Sequence, residues 1–157
     1  MKKRKAYRVV KKPNGNKIYQ YRAKKDNYLK NLRVVRYFIQ KKYNISFPIL
    51  ELLLYLYDLS LFSKKEFIDF EETMSWDKKR WDYLMEEDFI KQWRERSSDG
   101  KALYELTHKA KRICNLTYKK LNGDEQISEN KYLNTIFKGE NYMDKIYRRM
   151  IRKMNAS

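Results

Sequence analysis

One cysteine, two prolines and four glycines in 157 residues rule out most architectures that depend on those residues. Cys114, alone, excludes an internal disulfide framework and fits a reducing, cytoplasmic compartment. So little glycine and proline, with 36% charged residues, argues against a sandwich or a disordered chain and for a helical protein. No apolar run reaches membrane length: the longest, Ile49 to Leu61, is interrupted by Glu51 and Asp58. The basic start leads into Tyr7 to Val10 and then more lysines, which does not read as a signal peptide. Zinc-ligand spacing, a phosphate-binding glycine loop and a nucleophile elbow are all missing, so no metal or cofactor is expected. The single imidazole, His108, sits at a predicted helix start, where capping or exposure accounts for it, and Cys114 falls among Ile113 and Leu116 as a small buried group. Glu71-Glu72 and Glu86-Glu87-Asp88 read as solvated carboxylates. An enzyme is therefore the least supported class.

What the chain has in excess is positive charge, +17 in all, unevenly placed. Residues 1 to 36 carry +13, residues 37 to 144 carry −1 and residues 145 to 157 carry +5. A balance of this size implies a polyanionic partner, since counterions released from phosphates drive the binding of lysine and arginine. Double-stranded DNA is the first candidate. Lysine serving only solubility is the alternative, and it does not account for a neutral middle.

The length suits one compact unit, since a chain of about 150 residues hides about 70% of its unfolded surface. Three segments are distinguished: a basic arm at 1–25, a domain with its leading helix at 26–121, and a helical dimerisation or packing segment at 122–157. In the arm, Ala6 to Val10 and Lys17 to Arg22 are rich in Tyr, Val and Ile and flank Asn14-Gly15, a hairpin-turn signal. The ribbon would offer Arg8, Lys11, Lys12, Lys17 and Arg22 to a phosphate backbone, or serve as an extra dimer contact. From Asp26 a helix is predicted to about Tyr43, with Leu29, Leu32, Arg33, Tyr37 and Phe38 along its seam.

Ile49, Leu52, Leu53, Leu56 and Leu59 or Leu61 recur at helical spacing within Pro48 to Phe62, which predicts the buried helix of the domain. Ser63 with Glu66 three residues on is a capping-box pattern, opening a short helix from Lys64 to Phe70. Ser75 is predicted to cap a further helix from Trp76 to about Glu87, with Trp81, Leu84 and Met85 inward. Two strands then flank Ser97-Ser98-Asp99-Gly100, whose small polar residues and glycine suit a tight hairpin, with Arg94, Arg96 and Lys101 beside it.

Over about residues 45 to 115 this order resembles the MarR family of bacterial transcription regulators. The phrase before the family's wing is matched by Leu84-Met85-Glu86-Glu87-Asp88-Phe89-Ile90 and the one after it by Leu106-Thr107-His108-Lys109-Ala110, with Asp88 and Ala110 standing where the family has glycines. Element order and resemblance together predict a mainly α protein with small β: a winged helix-turn-helix, with the N-terminal basic β-hairpin read above and flanking N- and C-terminal helices. The resemblance also implies a homodimer built from the first and last helices, with recognition helices about 34 Å apart. In such a motif the first turn of the recognition helix meets base edges, which nominates Ser75, Trp76, Lys78, Lys79 and Arg80, with Arg80 best suited to a guanine. Arg94, Arg96 and Lys101 would lie on the minor groove or the backbone.

Two observations leave alternatives open. Glu66, Asp69, Glu71, Glu72, Asp77 and Asp82 lie in or beside the same motif, so either they face away from a duplex or the winged helix serves protein contact. An architectural or virion-associated role without base readout is a third possibility. Further on, Lys109 to Leu121 is one helix, and Tyr132 to Phe137 and Tyr142 to Met154 are amphipathic pieces. Ile136, Phe137, Tyr142, Met143, Ile146, Tyr147, Met150 and Ile151 need a covering surface, from this chain or from a second copy.

Overall fold

The computed structural model describes residues 7–11, 13–15, 17–21, 28–74, 79–98 and 100–157. The chain is mainly helical, with a small three-stranded antiparallel sheet and a separate two-stranded hairpin. The hairpin pairs β1 (Tyr7–Lys11) with β2 (Lys17–Tyr21), Tyr7 opposite Tyr21 and Lys11 opposite Lys17. Its turn passes through Gly15 at φ 82°, a left-handed conformation that glycine adopts without strain.

Helix α1 (Leu29–Tyr43) buries Val34, Val35, Phe38 and Ile39 and ends at Asn44 in the left-handed region. Helix α2 (Phe47–Leu59) starts with Pro48 in its first turn, where a missing amide hydrogen costs nothing, and buries Ile49, Leu50, Leu52, Leu53 and Leu56. The predicted continuation to Phe62 is corrected. At Ser60 the chain leaves the helix with φ 63°, and β3 (Leu61–Phe62) pairs with a later strand, which fully buries Phe62. Apolar periodicity alone does not separate the last turn of a helix from a short buried strand.

Helix α3 (Lys64–Met74) runs a turn longer than predicted and opens on the expected reciprocal cap. The Ser63 amide donates to Glu66 Oε2 at 2.7 Å, and the Glu66 amide donates to Ser63 Oγ at 3.3 Å. The bond from the Ser63 amide, and one that the Ser63 hydroxyl donates to the same Oε2 at 2.8 Å, hold the Glu66 carboxyl below its ordinary pKa. Helix α4 is Trp81–Glu86, six residues only, and residues 75–78 lie outside the described set. Trp81 and Leu84 are buried as predicted, whereas Met85 is 38% exposed. The short helix ends in a left-handed Asp88, φ 56°, so the aspartate takes the conformation that a glycine would supply.

Strands β4 (Ile90–Arg94) and β5 (Leu103–Leu106) complete the sheet in the order β3-β5-β4, with a register shift between Gln92 and Arg94 that leaves Trp93 54% exposed. Helix α5 (His108–Asn122) packs against both α1 and α2 and sends Ala110, Ile113 and Cys114 into the core. Thr107 holds three elements together. Its Oγ1 accepts from the Ala110 amide as N-cap of α5 and donates to the Asp88 carbonyl at 2.7 Å. Thr107→Ala should therefore cost about 1–2 kcal/mol, the upper range for a lost cap, read as a lowered urea midpoint with an unchanged slope.

Helices α6 (Thr135–Lys138) and α7 (Tyr142–Asn155) close the chain against α1. The rings of Tyr37 and Tyr147 stack at 3.7 Å, and Tyr37 donates its hydroxyl to the buried Asp144 at 2.8 Å. Burial and that bond push the Tyr37 hydroxyl up to about 12. Ile136, Tyr147 and Ile151 are buried and Phe137 and Met150 half-buried within this one chain. Their packing thus calls for no second subunit. Tyr142 and Met143 stay on the surface.

Candidate nucleic-acid interface

The β4–β5 hairpin projects from the sheet with Arg94, Arg96 and Lys101 exposed on it and Glu95 between the two arginines. Its end is closed by a reciprocal pair of backbone bonds, Ser97 N to Gly100 O at 3.1 Å and Gly100 N to Ser97 O at 3.3 Å. Arg94 is exposed but folds over this turn, donating from Nη2 to the Lys101 carbonyl at 3.2 Å. A Cβ at Gly100 would stand 2.8 Å from that nitrogen, so the glycine gives the guanidinium its room. Arg94 thus braces the hairpin and has donors left for a ligand.

Arg96 and Lys101 point to a different use. Together with Ser63, Lys64, Lys65, Ser97, Ser98, Gly100, Ala102 and Tyr104 they line a cleft of about 520 Å³ between the hairpin and the start of α3. All four cations are exposed, and no carboxylate lines the cleft among the described residues. Glu66 stands nearby and its charge is felt by Lys101, but the Ser63 amide and hydroxyl hold its carboxylate at 2.7 and 2.8 Å. Four cations, with the hydroxyls of Ser97, Ser98 and Tyr104 beside them, suit an anion with several oxygens, such as adjoining phosphates.

Lys64 and Lys65 were not among the residues singled out from the sequence, although a signal was there. Both sit in the first turn of α3, the positive end of the helix dipole, where a cation is disfavoured by about 0.3–1 kcal/mol. A pair in that place is a local inconsistency, and local inconsistencies concentrate at functional positions.

The proposed base-reading group fares differently. Arg80 is only 9% exposed and lies within ion-pair distance of the buried Glu71, Nη1 to Oε1 at 3.5 Å, so it is not free to read a guanine. The backbone amide of Arg80 also donates to Glu71 Oε1 at 2.6 Å, which ties the late part of α3 to the start of α4. A buried carboxylate requires such partners, and Arg80 supplies them. Lys79 is exposed, whereas Ser75, Trp76 and Lys78 lie outside the described residues. The outward side of α4 carries Asp82, Tyr83, Met85 and Glu86, followed by exposed Glu87 and Asp88. Such a surface repels a phosphate backbone.

In the arm, Arg8, Lys11 and Lys17 belong to the paired strands, while Lys12 and Arg22 lie outside the described residues. Cys114 is wholly buried, and burial raises its thiol to about 12, which keeps it protonated and unreactive. Among the described residues no helix is long and apolar enough to cross a membrane. Comparison with protein families, with curated proteins and with solved structures finds no match.

Proposed function

We propose that residues 47–106 form a winged helix-turn-helix that binds duplex DNA chiefly through its phosphate backbone. The order α2, β3, α3, α4, β4, β5, with β5 central and paired to both other strands, is the arrangement that such a motif requires. The observation that carries the reading is the cleft where Lys64 and Lys65 of α3 face Arg96 and Lys101 of the wing, with no carboxylate among the described residues that line it. Backbone contacts position a protein on nucleic acid without reading sequence. Base readout would fall to Ser75, Trp76, Lys78 and Lys79, since Arg80 is engaged and the rest of α4 is acidic outward. This balance favours an architectural or low-specificity binder over a MarR-type regulator, and it does not rest on a homodimer.

Selection of bound sequences from a random duplex pool by the purified protein tests it, with the mass in solution measured alongside. A weak or absent consensus, with affinity falling steeply as salt rises, is the expected result. A sharp palindromic consensus at which single base changes cost about 1–3 kcal/mol would instead establish a dimeric regulator that reads bases.

A further inference from the structure

The α1–α7 pair carries a second concentration of charge that the wing cleft does not use. Helix α1 has Lys30, Arg33, Arg36, Lys41 and Lys42 and not one acid; α7 has Lys145, Arg148, Arg149, Arg152 and Lys153 against a single acid, Asp144. That acid is 2% exposed and is spent on Tyr37 and Lys41. Among the described residues no carboxylate stands within ion-pair distance of the exposed Lys30, Lys145, Arg149 or Lys153.

Geometry arranges these groups as a surface. Lys145, Arg149 and Lys153 follow one another at i, i+4 and i+8 along about 12 Å of α7, and Lys30 and Lys153 meet at the rim of a groove of about 460 Å³ floored by Val34, Met150 and Met154. We infer that this α1–α7 face is a second nucleic-acid contact surface, taking phosphates of the same polyanion beyond those held in the wing cleft.

Two other partners fit the face less well. A second copy of the chain would set one cationic surface against another, its acids Asp144 and Glu129 already paired with Lys41 and Arg152, and like charges of that density repel. A membrane-lying helix sinks its apolar side into the headgroups, but most of the apolar side of α7, Tyr147 and Ile151, is already buried in the protein, and only its first turn shows Tyr142 and Met143. Duplex DNA, with about one charge per 1.7 Å of axis, offers several phosphates to a stripe of this length.

The inference builds on the DNA reading above, and the experiment separates the two. Binding of the full-length protein to a long duplex is measured against salt for the wild type, for K30Q/K145Q/R149Q/K153Q, and for K64Q/K65Q/R96Q/K101Q. Loss of four phosphate contacts should flatten the slope of log K against log salt by about 3.6, so that the α1–α7 variant no longer loses roughly a hundredfold of its affinity between 50 and 200 mM. The charge-keeping variant K30R/K145R/K153R should keep the wild-type slope. An α1–α7 variant with a wild-type slope overturns the inference, as does one that turns a dimer into a monomer. Loss of binding to phosphatidylserine vesicles with DNA binding intact also overturns it, since the partner is then a membrane. A wing variant of unchanged slope beside a flattened α1–α7 variant leaves this face standing and removes the wing cleft.

Discussion

Replacing Lys64, Lys65, Arg96 and Lys101 together by glutamine should weaken binding to any duplex by about three orders of magnitude at 0.1 M salt. Each phosphate contact releases close to one counterion, and at that ionic strength the release contributes on the order of 1 kcal/mol per contact. Four contacts therefore supply roughly 4–5 kcal/mol, and each 1.4 kcal/mol is a factor of about ten in affinity. Folding should survive, because all four side chains are exposed and none of them forms a salt bridge among the described residues. Relief of the cations in the first turn of α3 should even raise the urea midpoint slightly.

The measurement is a titration of a labelled duplex at several salt concentrations, repeated on an unrelated duplex sequence. Equal losses on both sequences identify backbone contact. A loss confined to one sequence would place base edges in the cleft, and no loss at all would remove the cleft from the interface. Lys79→Gln serves as the comparison: a single exposed lysine just before α4, whose outward side is acidic, should change affinity less than tenfold.

Much of this architecture is legible in the residue pattern, where local chemistry and tertiary need agree. Ser63 and Glu66 are spaced for a reciprocal cap and make one. Asn14-Gly15 turns a hairpin, and Ser97 and Gly100 close another. Thr107 caps α5 just before His108, where that helix is predicted to start, and Asp88 takes the left-handed conformation that glycine favours. The misplacements arise where tertiary packing decides. Nothing local tells Leu61 and Phe62 to leave a helix; they become a strand because β5 lies beside them. Nor does sequence show that Glu71, one of two adjacent glutamates, turns into the core while Glu72 faces water. That turn decides the fate of Arg80. Lys64 and Lys65 escape notice for the same reason, since the hairpin that completes their cleft is more than thirty residues away in the chain.

Arg80→Met should be the most destabilising single change among the charged residues discussed here, at about 3–5 kcal/mol. Methionine keeps much of the apolar stem but leaves the Glu71 carboxylate, 4% exposed, facing it without a counter-charge. The short glutamate stem cannot carry that carboxylate to solvent. Against a total stability of about 5–15 kcal/mol for a domain, the loss would bring the protein close to its unfolding midpoint at modest urea. Glu71→Met should cost less, because the arginine stem is long enough to lift its guanidinium toward water. The double variant removes both charges and should recover most of the loss of Arg80→Met. It should remain roughly 1–2 kcal/mol below wild type, since the Arg80 amide, which donates to Glu71 Oε1, then has no acceptor. A double-mutant cycle in urea reads these terms, with the coupling between the two positions expected to be large. Sequence selection on the folded Arg80→Met protein in mild conditions completes the test. Base preferences should match those of the wild type, because a guanidinium held by Glu71 does not touch the duplex. An unchanged urea midpoint together with altered base preference would mean that Arg80 leaves Glu71 to meet DNA, and would return it to the role its position before α4 first suggests.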